Sequence, residues 1–418
     1  MIIHSASQLL TLAGGPQRGD DLGSLGIIED GAVLVREGKI LAVDFSSKLL
    51  AAHPGEETLD AGGRVVMPGL VDPHTHALWA GDRAAEFEMR LQGKTYLEIM
   101  EAGGGILSTV RETRAASREE LREQTRPRLL SMLNHGATTI EVKTGYGLEY
   151  ATERRMLDVL LSLDRELPVD LVLTFLPAHA VPPAFKDDPD AYTDQICRHM
   201  LPELKEWWKG KTPASLPFVD VFCETGAFSL NQSRQILETA AELGYPLKIH
   251  ADEFDNLGGA ALAAELGAAS ADHLVVTSAE DIAALAKSDT VAVSLPCTPF
   301  GLAEGGYTPA REFLAEGALL AVATDLNPGT AWCESMQFAL ALACRYLKLT
   351  PGEAIAAATI NAAAALNRED RVGSLEPGKE ADLLILDVDD YRHLGYRFGT
   401  NLVRTVIKQG QPILNLEE

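Results

Sequence analysis

The sequence has no segment typical of a membrane-anchored or secreted protein. None of its hydrophobic runs approaches the roughly 18 uninterrupted apolar residues that a membrane-spanning helix needs. The N-terminus, MIIHSASQLLTLAGG, has neither a positively charged n-region nor a clear cleavage site for a signal peptide. Low-complexity tracts, internal repeats and flexible linkers are also missing. We therefore predict a cytoplasmic, folded protein.

Cysteine is scarce, and so are positive charges. The five cysteines are an odd number and form no CxxC pair, which is typical of reduced thiols rather than of a disulfide framework. Lys and Arg total 36 against 60 Asp and Glu, so the net charge is −24. A chain with this charge repels phosphate backbones, which argues against non-specific binding to nucleic acid. An anionic small substrate would need a local cationic side chain.

The 418 residues, 46% of them hydrophobic and 23% charged, are enough to bury a large core. This length suggests two or three domains, or one large α/β barrel with an appendage. Eight short apolar or β-branched runs, most of them separated by amphipathic segments, favour a closed (β/α)₈ barrel. A doubly wound open sheet is the alternative fold, but no GxGxxG motif follows a strand. The eight runs are 64–72, 137–142, 170–176, 218–223, 246–250, 270–276, 290–295 and 319–324.

Both ends of the chain have the pattern of β structure. GAVLVREGKILAVD (31–44) has two apolar runs around a Glu-Gly-Lys turn, which indicates a hairpin, and 381–388 and 402–414 are similar. Neither end makes a core of its own, so we expect the two to meet in one small β-sandwich. The predicted division is 1–66 for the first part of the β-sandwich domain, 67–370 for the barrel and 371–418 for the second part.

The strongest chemical signal is Asp72-Pro73-His74-Thr75-His76, at the end of the first predicted barrel strand. Residues i and i+2 of a strand point to the same face, so His74 and His76 can point together into the barrel mouth. Two imidazoles at this spacing suit a divalent metal ion. A bare HxH also occurs by chance, but active sites of barrel enzymes lie at the C-terminal ends of the strands.

Two further candidate metal ligands occupy equivalent positions. His250 ends the fifth predicted strand, and Asp325 follows the eighth. Alone, each is more often a cap or a hydrogen-bonded core residue. Together with His74 and His76 they give three imidazoles and one carboxylate, all from strand ends. A metal ion held there lowers the pKa of water from about 15.7 to near 7.

Several long motifs resemble the amidohydrolase superfamily, and within it the imidazolonepropionase family. The resemblance extends from about Met67 to Asn367, and the flanking β segments are also similar. It implies hydrolysis of the cyclic amide of 4-imidazolone-5-propanoate to N-formimidoyl-L-glutamate, in histidine degradation. It also implies one zinc or iron ion per chain, a small-molecule substrate and a homodimer. The motifs are 68–96, EVKTGYGL (141–148), AHAVPPAF (178–185), 248–274 and ATDLNPGT (323–330).

The resemblance assigns catalytic roles to three residues. Glu253 follows His250 at i+3, a spacing seen in single-metal amidohydrolases whose Glu moves protons near the metal. Asp252 is the rival carboxylate, and the resemblance favours Glu253. His273 ends the sixth strand, where related enzymes polarise the attacked carbonyl or guide the water. Asp325 is expected to act both as metal ligand and as base.

The resemblance also indicates the residues that bind the substrate. Arg83 is expected to hold the propionate carboxylate, because guanidinium can form two parallel hydrogen bonds that ammonium cannot. The other substrate contacts that it implies are Glu253, Tyr146, His179, Asn327, Gly329 and Thr330.

The number of metal ions can be argued separately. Two-metal amidohydrolases usually bridge their ions with a modified Lys on the fourth strand, but here that strand, FVDVFCETG, has no Lys. One ion is therefore expected, although Glu224 on this strand leaves a carboxylate bridge open. Two segments near the pocket differ from many relatives, Ala331-Trp332-Cys333 and Cys297-Thr298-Pro299, and they affect the expected substrate specificity rather than the hydrolytic chemistry.

Two other functions remain as alternatives. A deaminase of the same fold would release ammonia from a different nitrogen heterocycle, and the set of Arg83, Tyr146 and Asn327 argues against it. A non-catalytic barrel that only binds a metabolite is the second alternative. The complete set of four metal ligands argues against that function, since loss of activity usually appears as loss of ligands.

Overall fold

A computed structural model describes residues 1–94, 98, 103–211 and 215–415. Within these residues two eight-stranded sheets organise the chain. The strands, numbered in chain order, are β1 (Ile2–Leu10), β2 (Ile27–Arg36), β3 (Lys39–Phe45), β4 (Thr58–Asp60), β5 (Val65–Pro68), β6 (Leu70–Asp72), β7 (Ala137–Lys143), β8 (Asp170–Ala178), β9 (Phe218–Cys223), β10 (Lys248–Ala251), β11 (Ser270–His273), β12 (Val291–Ser294), β13 (Leu320–Val322), β14 (Leu383–Leu386), β15 (Val403–Lys408) and β16 (Gln411–Asn415).

Strands β6 to β13 pair in sequence order, each parallel to the next, as the repeated β/α pattern predicts. The barrel closes just beyond the ends of β6 and β13. There the backbone N–H of His76 donates to the carbonyl of Leu326 over 2.8 Å, and that of Asp325 donates to the carbonyl of His74 over 3.1 Å. The fold is thus a (β/α)₈ barrel, and its closure places the first and last candidate ligands side by side.

One predicted run, 64–72, forms two strands instead of one. Its first half is β5, which belongs to the sheet outside the barrel, and its second half is β6, the first strand of the barrel. Gly69 lies between them, where a β-carbon would stand only 2.1 Å from Oγ1 of Thr138. Because glycine lacks that carbon, the chain can pass close to Thr138 as it moves from one sheet to the other.

Helices connect the barrel strands. Proline at the first turn and a Thr350–Glu353 capping box begin one of them, Pro351–Ala357. The described α-helices are Ser46–Ala52, Ala84–Leu91, Ile106–Ala115, Arg118–Asn134, Tyr150–Glu166, Pro189–Gln195, Leu201–Trp208, Leu230–Glu242, Gly259–Leu266, Ala279–Ala286, Cys297–Leu302, Ala310–Ala315, Met336–Leu342, Pro351–Ala357, Ile360–Ala364 and His393–Tyr396. In the part of the chain that the structure describes, no helix has both the length and the apolar surface to cross a membrane.

The second sheet contains strands from both ends of the chain, as predicted. Its hydrogen-bonded order is β16-β15-β14-β5-β1-β2-β3, and β4 pairs with β1. A separate apolar core, with Leu9, Val33, Leu383 and Ile407 among its buried members, packs on this sheet. The division at 66/67 and 370/371 stays a prediction; β5 crosses the first of these boundaries.

Candidate metal centre

The four candidate metal ligands lie within a few ångströms of one another at the C-terminal mouth of the barrel. Nε2 of His74 is 3.5 Å and Nε2 of His76 is 3.6 Å from Oδ1 of Asp325. Nε2 of His250 is 3.3 Å from Nε2 of His76. All four residues are buried. The chain thus brings three imidazoles and one carboxylate together from β10 and from the segments that follow β6 and β13.

This donor set fits a divalent metal ion. Ligand atoms about 2.0–2.1 Å from a tetrahedral ion are about 3.3–3.4 Å apart, close to the separations observed here. Burial lowers the pKa values of His74 and His76 well below the usual value, so both rings are neutral and each offers a lone pair. Nε2 of His74 has no hydrogen-bond partner among the described residues. Unpaired, buried acceptors that face one another are costly unless a cation lies between them.

Two buried aspartates orient the histidine rings. Oδ2 of Asp272 lies 2.6 Å from Nδ1 of His74, and Oδ2 of Asp220 lies 3.0 Å from Nδ1 of His250. At His74 this contact is a hydrogen bond, which places the proton on Nδ1 and leaves Nε2 free for an ion. At His250 the nearby carboxylate of Asp220 favours the same orientation through its charge. Neither aspartate was predicted from the sequence. The available signal was an acidic residue inside a predicted strand, in FVDVFC and in SADH.

Asp325 is held from two directions. Thr298 donates its hydroxyl to Oδ2 at 2.5 Å, while Oδ1 faces the histidines. Burial raises the pKa of Asp325 to about 6, although Thr298 and His250 act in the opposite direction. Thr298, which the sequence analysis noted only as part of a divergent segment, therefore fixes the carboxylate ligand.

Two residues at the centre have a strained backbone conformation. Asp325 has a φ of 53° and His273 a φ of 80°, in the left-handed region that non-glycine residues seldom adopt. Such conformations concentrate at functional sites, where the surrounding structure compensates for their cost. Here they aim both side chains into the barrel mouth.

Glu253 and Asp252 have different surroundings. Oε2 of Glu253 lies 3.7 Å from Nε2 of His273, whose ring is 5.3 Å from that of His250. Burial, and next the charge of Asp325, raise the pKa of Glu253 well above its usual value. Oδ2 of Asp252, in contrast, lies 3.5 Å from the side-chain amide of Asn256. The geometry places Glu253, rather than Asp252, beside the histidine cluster.

Glu224 has a local role in the same region. Its carboxylate oxygens accept the backbone N–H groups of Phe254 at 2.9 Å and Asp255 at 3.1 Å. These bonds hold the segment that follows Glu253. The Glu224 carboxylate, which was a possible metal bridge on the basis of the sequence, is thus hydrogen-bonded to backbone N–H groups.

Tyr146 and His179 form an aromatic wall beside the candidate ligands. The His179 ring stacks on His76, with centroids 4.7 Å apart and planes 12° from parallel. Nδ1 of His179 is 3.2 Å from the carbonyl of Gly145, and burial lowers its pKa to about 3. Burial also raises the pKa of Tyr146, so its hydroxyl stays protonated. The wall is therefore neutral and can lie against a flat ring.

Arg83 lies at the other side of the mouth, with a second arginine that the sequence analysis did not single out. Nε of Arg83 donates to Glu86 at 2.8 Å. Arg90 donates to the carbonyl of Gly329 at 2.9 Å. A β-carbon at Gly329 would lie 2.3 Å from Nη1 of Arg83, so glycine is what allows this approach. A cavity of about 290 Å³ is lined by both arginines.

Asn327 and Thr330 shape the loop after β13. Oδ1 of Asn327 accepts the N–H groups of Gly329 and Thr330, both at 2.8 Å, and its amide donates to the carbonyl of Asp325. These bonds match the turn chemistry of Asn side chains. In this structure the Asn327 side chain thus organises the loop that presents Gly329 and Thr330 to the mouth.

Comparisons with known proteins agree with this architecture. A model of the amidohydrolase family matches residues 65–413. The chain is 51% identical to the imidazolonepropionase of Herpetosiphon aurantiacus over 413 residues, which cover 99% of this chain and 96% of that protein. It is 49% identical to the imidazolonepropionase of Chloroflexus aggregans, with 100% and 99% of the two chains covered.

Solved structures share the fold at low sequence identity. An adenosine deaminase from Xanthomonas campestris with bound zinc has a TM-score of 0.74 and 20% identity, and the match covers 99% of this chain and 92% of that one. The guanine deaminase of E. coli has a TM-score of 0.74 and 16% identity, covering 99% and 98%. At these identities the likeness concerns the fold alone.

Proposed function

The chain belongs to the imidazolonepropionase family of metal-dependent amidohydrolases, and from this premise we propose that it hydrolyses 4-imidazolone-5-propanoate to N-formimidoyl-L-glutamate. This is the ring-opening step of histidine degradation. In the reaction water adds to the ring carbonyl, the carbonyl carbon–nitrogen bond breaks, and the departing nitrogen takes up a proton.

The observation that carries this proposal is the convergence of His74, His76, His250 and Asp325 within 3.3–3.6 Å contacts. These four residues would hold the ion. When bound, such an ion supplies Lewis acidity, which polarises a carbonyl and lowers the pKa of water toward neutrality. The protein itself supplies the fixed geometry, through Asp272, Asp220 and Thr298 behind the ligands.

Substrate binding follows from the two sides of the mouth. The neutral wall of Tyr146 and His179 suits the planar imidazolone ring, which can stack without meeting a charge. The guanidinium of Arg83 suits the propionate carboxylate, because Glu86 accepts from Nε and, among the described residues, no hydrogen bond from its Nη atoms is observed. The wall and the arginine together would fix the ring over the four ligands.

Glu253 and His273 are placed to handle protons. The raised pKa of Glu253 lets its carboxyl group hold a proton at a higher pH than an ordinary glutamate. A group of this kind can accept a proton from the attacking water and return it to the departing ring nitrogen. His273, neutral because burial lowers its pKa, can donate a hydrogen bond to the carbonyl oxygen.

Some finer properties remain predictions from the sequence and from the family resemblance. They are a single zinc or iron ion per chain, a homodimer and a cytoplasmic location. The absence of Lys from β9 supports a single ion, as does the engagement of Glu224 with backbone N–H groups.

Metal analysis combined with a turnover assay tests the proposal. We expect one ion per chain, loss of activity on chelation, and loss of both metal and activity in His76→Ala. His199→Ala, at an exposed position, is the matched control and should keep both. Two ions per chain would contradict the single-ion prediction. Full activity after complete chelation would contradict the metal-dependent mechanism.

A further inference from the structure

A lysine is buried directly beneath the candidate metal centre, among three carboxylates. Nζ of Lys143 is 2.7 Å from Oε1 of Glu141, 2.8 Å from Oδ2 of Asp220 and 3.6 Å from Oδ2 of Asp272. All four side chains are 0% exposed. Charged groups as deeply buried as these need partners, and here one ammonium group serves three carboxylates.

Each of these carboxylates also contacts the metal-ligand segments. Asp272 meets Nδ1 of His74 at 2.6 Å, and Asp220 meets Nδ1 of His250 at 3.0 Å. Glu141 accepts the backbone N–H of Thr75, between the two histidines of the HxH motif, at 3.1 Å. Lys143 is therefore one carboxylate removed from two of the four candidate ligands, His74 and His250, and from the backbone that joins His74 to His76.

A second buried lysine does not duplicate this arrangement. Nζ of Lys248 donates to the carbonyl of Pro73 at 2.8 Å, but stays 3.8 Å from Asp272 and 3.9 Å from Glu141. Lys143 thus donates a hydrogen bond to Asp220 at 2.8 Å and, at 3.6 Å, is slightly nearer to Asp272 than Lys248 is. Without that ammonium the carboxylates would repel one another in a medium of low dielectric constant, and each would move toward other donors.

We propose that Lys143 is a positioning residue for the metal centre: it fixes Asp220 and Asp272 so that the rings of His250 and His74 keep Nε2 directed at one point. This inference rests on the proposed function, because it assumes that an ion binds there. It assigns to a strand-buried lysine a role in metal affinity, without direct contact with the ion.

The test compares Lys143→Met with Lys408→Met. Lys408 is a matched control because it is also buried between two carboxylates, Asp170 at 2.8 Å and Asp382 at 2.5 Å, but on β15 of the other sheet. Zinc affinity is measured by competition with a chelator, and the visible absorption of the cobalt-substituted protein reports ligand geometry. We expect Lys143→Met to bind zinc about 10- to 100-fold more weakly, with a changed cobalt spectrum. Lys408→Met should keep the wild-type affinity and spectrum even if it lowers thermal stability.

Other outcomes separate this inference from the proposed function. Wild-type protein that binds no zinc or cobalt would overturn the proposed function itself. Folded Lys143→Met with wild-type affinity and spectrum would overturn only the role of Lys143. If Lys143→Met does not fold, Lys143→Gln, whose amide can donate to one carboxylate, is measured in the same way, and wild-type affinity there overturns the proposal. Failure of both Lys143 variants to fold, while Lys408→Met folds, would assign Lys143 to the fold and also overturn it.

Discussion

Glu253 provides the sharpest test at the scale of single residues, because its neighbour Asp252 is a built-in control. Glu253→Gln keeps the size of the side chain and leaves the four metal ligands unchanged, but removes the titratable carboxyl group. We expect kcat to fall about 10²-fold or more, the usual contribution of general acid–base catalysis, with the metal retained. Steady-state kinetics together with metal analysis measure both quantities.

Asp252→Asn, measured in parallel, should stay within a few-fold of the wild type, because this carboxylate lies beside Asn256 rather than the histidines. Because the pKa of Glu253 is raised, the acid limb of the kcat profile should lie above the usual range of a glutamate and vanish in Glu253→Gln. If Glu253→Gln keeps a nearly normal kcat, Asp325 or His273 must carry the proton instead.

Arg83 tests the identity of the substrate rather than the hydrolytic chemistry. With a net charge of −24, the chain as a whole repels an anion, so the carboxylate needs a local guanidinium. Arg83→Ala should cost about 2–4 kcal/mol. This cost corresponds to roughly 30- to 1,000-fold in kcat/KM. Arg83→Lys should recover only part of the loss, because an ammonium group cannot form the two parallel bonds.

An analogue without the propionate carboxylate is the control for Arg83. Its turnover should be nearly indifferent to Arg83→Ala, since it has no charge to pair. Equal losses with both compounds would mean that Arg83 serves the loop at Gly329, and the carboxylate would need another partner.

The four metal ligands and Glu253 could be predicted because they follow strand ends, where a motif or a family resemblance makes them visible. Lys143, Asp220 and Asp272 could not, since a charged residue inside a strand does not reveal which partner on another strand it meets. Glu141 and Lys143 were the available signal, because they are two charged residues two positions apart in a β-branched run and both point to one face. Their function depends on contacts between β7, β9 and β11, which only the folded barrel supplies.

At the scale of elements, the loop that carries Tyr146 depends on a single buried carboxylate. Glu153, in the helix Tyr150–Glu166, accepts N–H groups from Gly145 at 2.9 Å, Gly147 at 2.7 Å and Leu148 at 2.8 Å. This accounts for a tight turn in which Gly145 has a φ of 111°. Through Glu153 the helix thus holds the loop that carries Tyr146.

Glu153→Gln should loosen this loop. The amide group has only one accepting oxygen, so its NH₂ must face at least one of the backbone donors, at a cost of about 1–3 kcal/mol. We expect KM to rise roughly tenfold, with a smaller change in kcat. Glu149→Gln, at the exposed start of the same helix, is the control and should leave KM unchanged. Unchanged KM in a folded Glu153→Gln variant would show that the loop holds Tyr146 without this carboxylate.

The pattern of elements was largely predictable from the sequence, because buried parallel strands appear as apolar runs between amphipathic helices. The run 64–72 is the exception. This run looks continuous because β5 and β6 have the same hydrophobic character, yet the two strands belong to different sheets and meet at Gly69, which passes close to Thr138. A change of sheet within an apolar run leaves little trace in composition.

At the scale of the whole molecule, the closure of the barrel is what creates the centre. His74 and Asp325 are 251 residues apart in the chain, and the hydrogen bond from the Asp325 backbone to His74 joins the first strand to the last. The same closure brings Arg83 beside the loop after β13. The sequence predicted that strand ends would converge, but the distances that suit one ion follow from the closed ring of eight strands.

The most direct measurement is the identity of the product formed from 4-imidazolone-5-propanoate by the purified, metal-loaded protein. We expect N-formimidoyl-L-glutamate, seen by mass spectrometry as the gain of one water molecule without release of ammonia. Turnover should disappear in His76→Ala and remain in His199→Ala. Recovery of unchanged imidazolone from the metal-loaded enzyme, or release of ammonia with the ring intact, would contradict it.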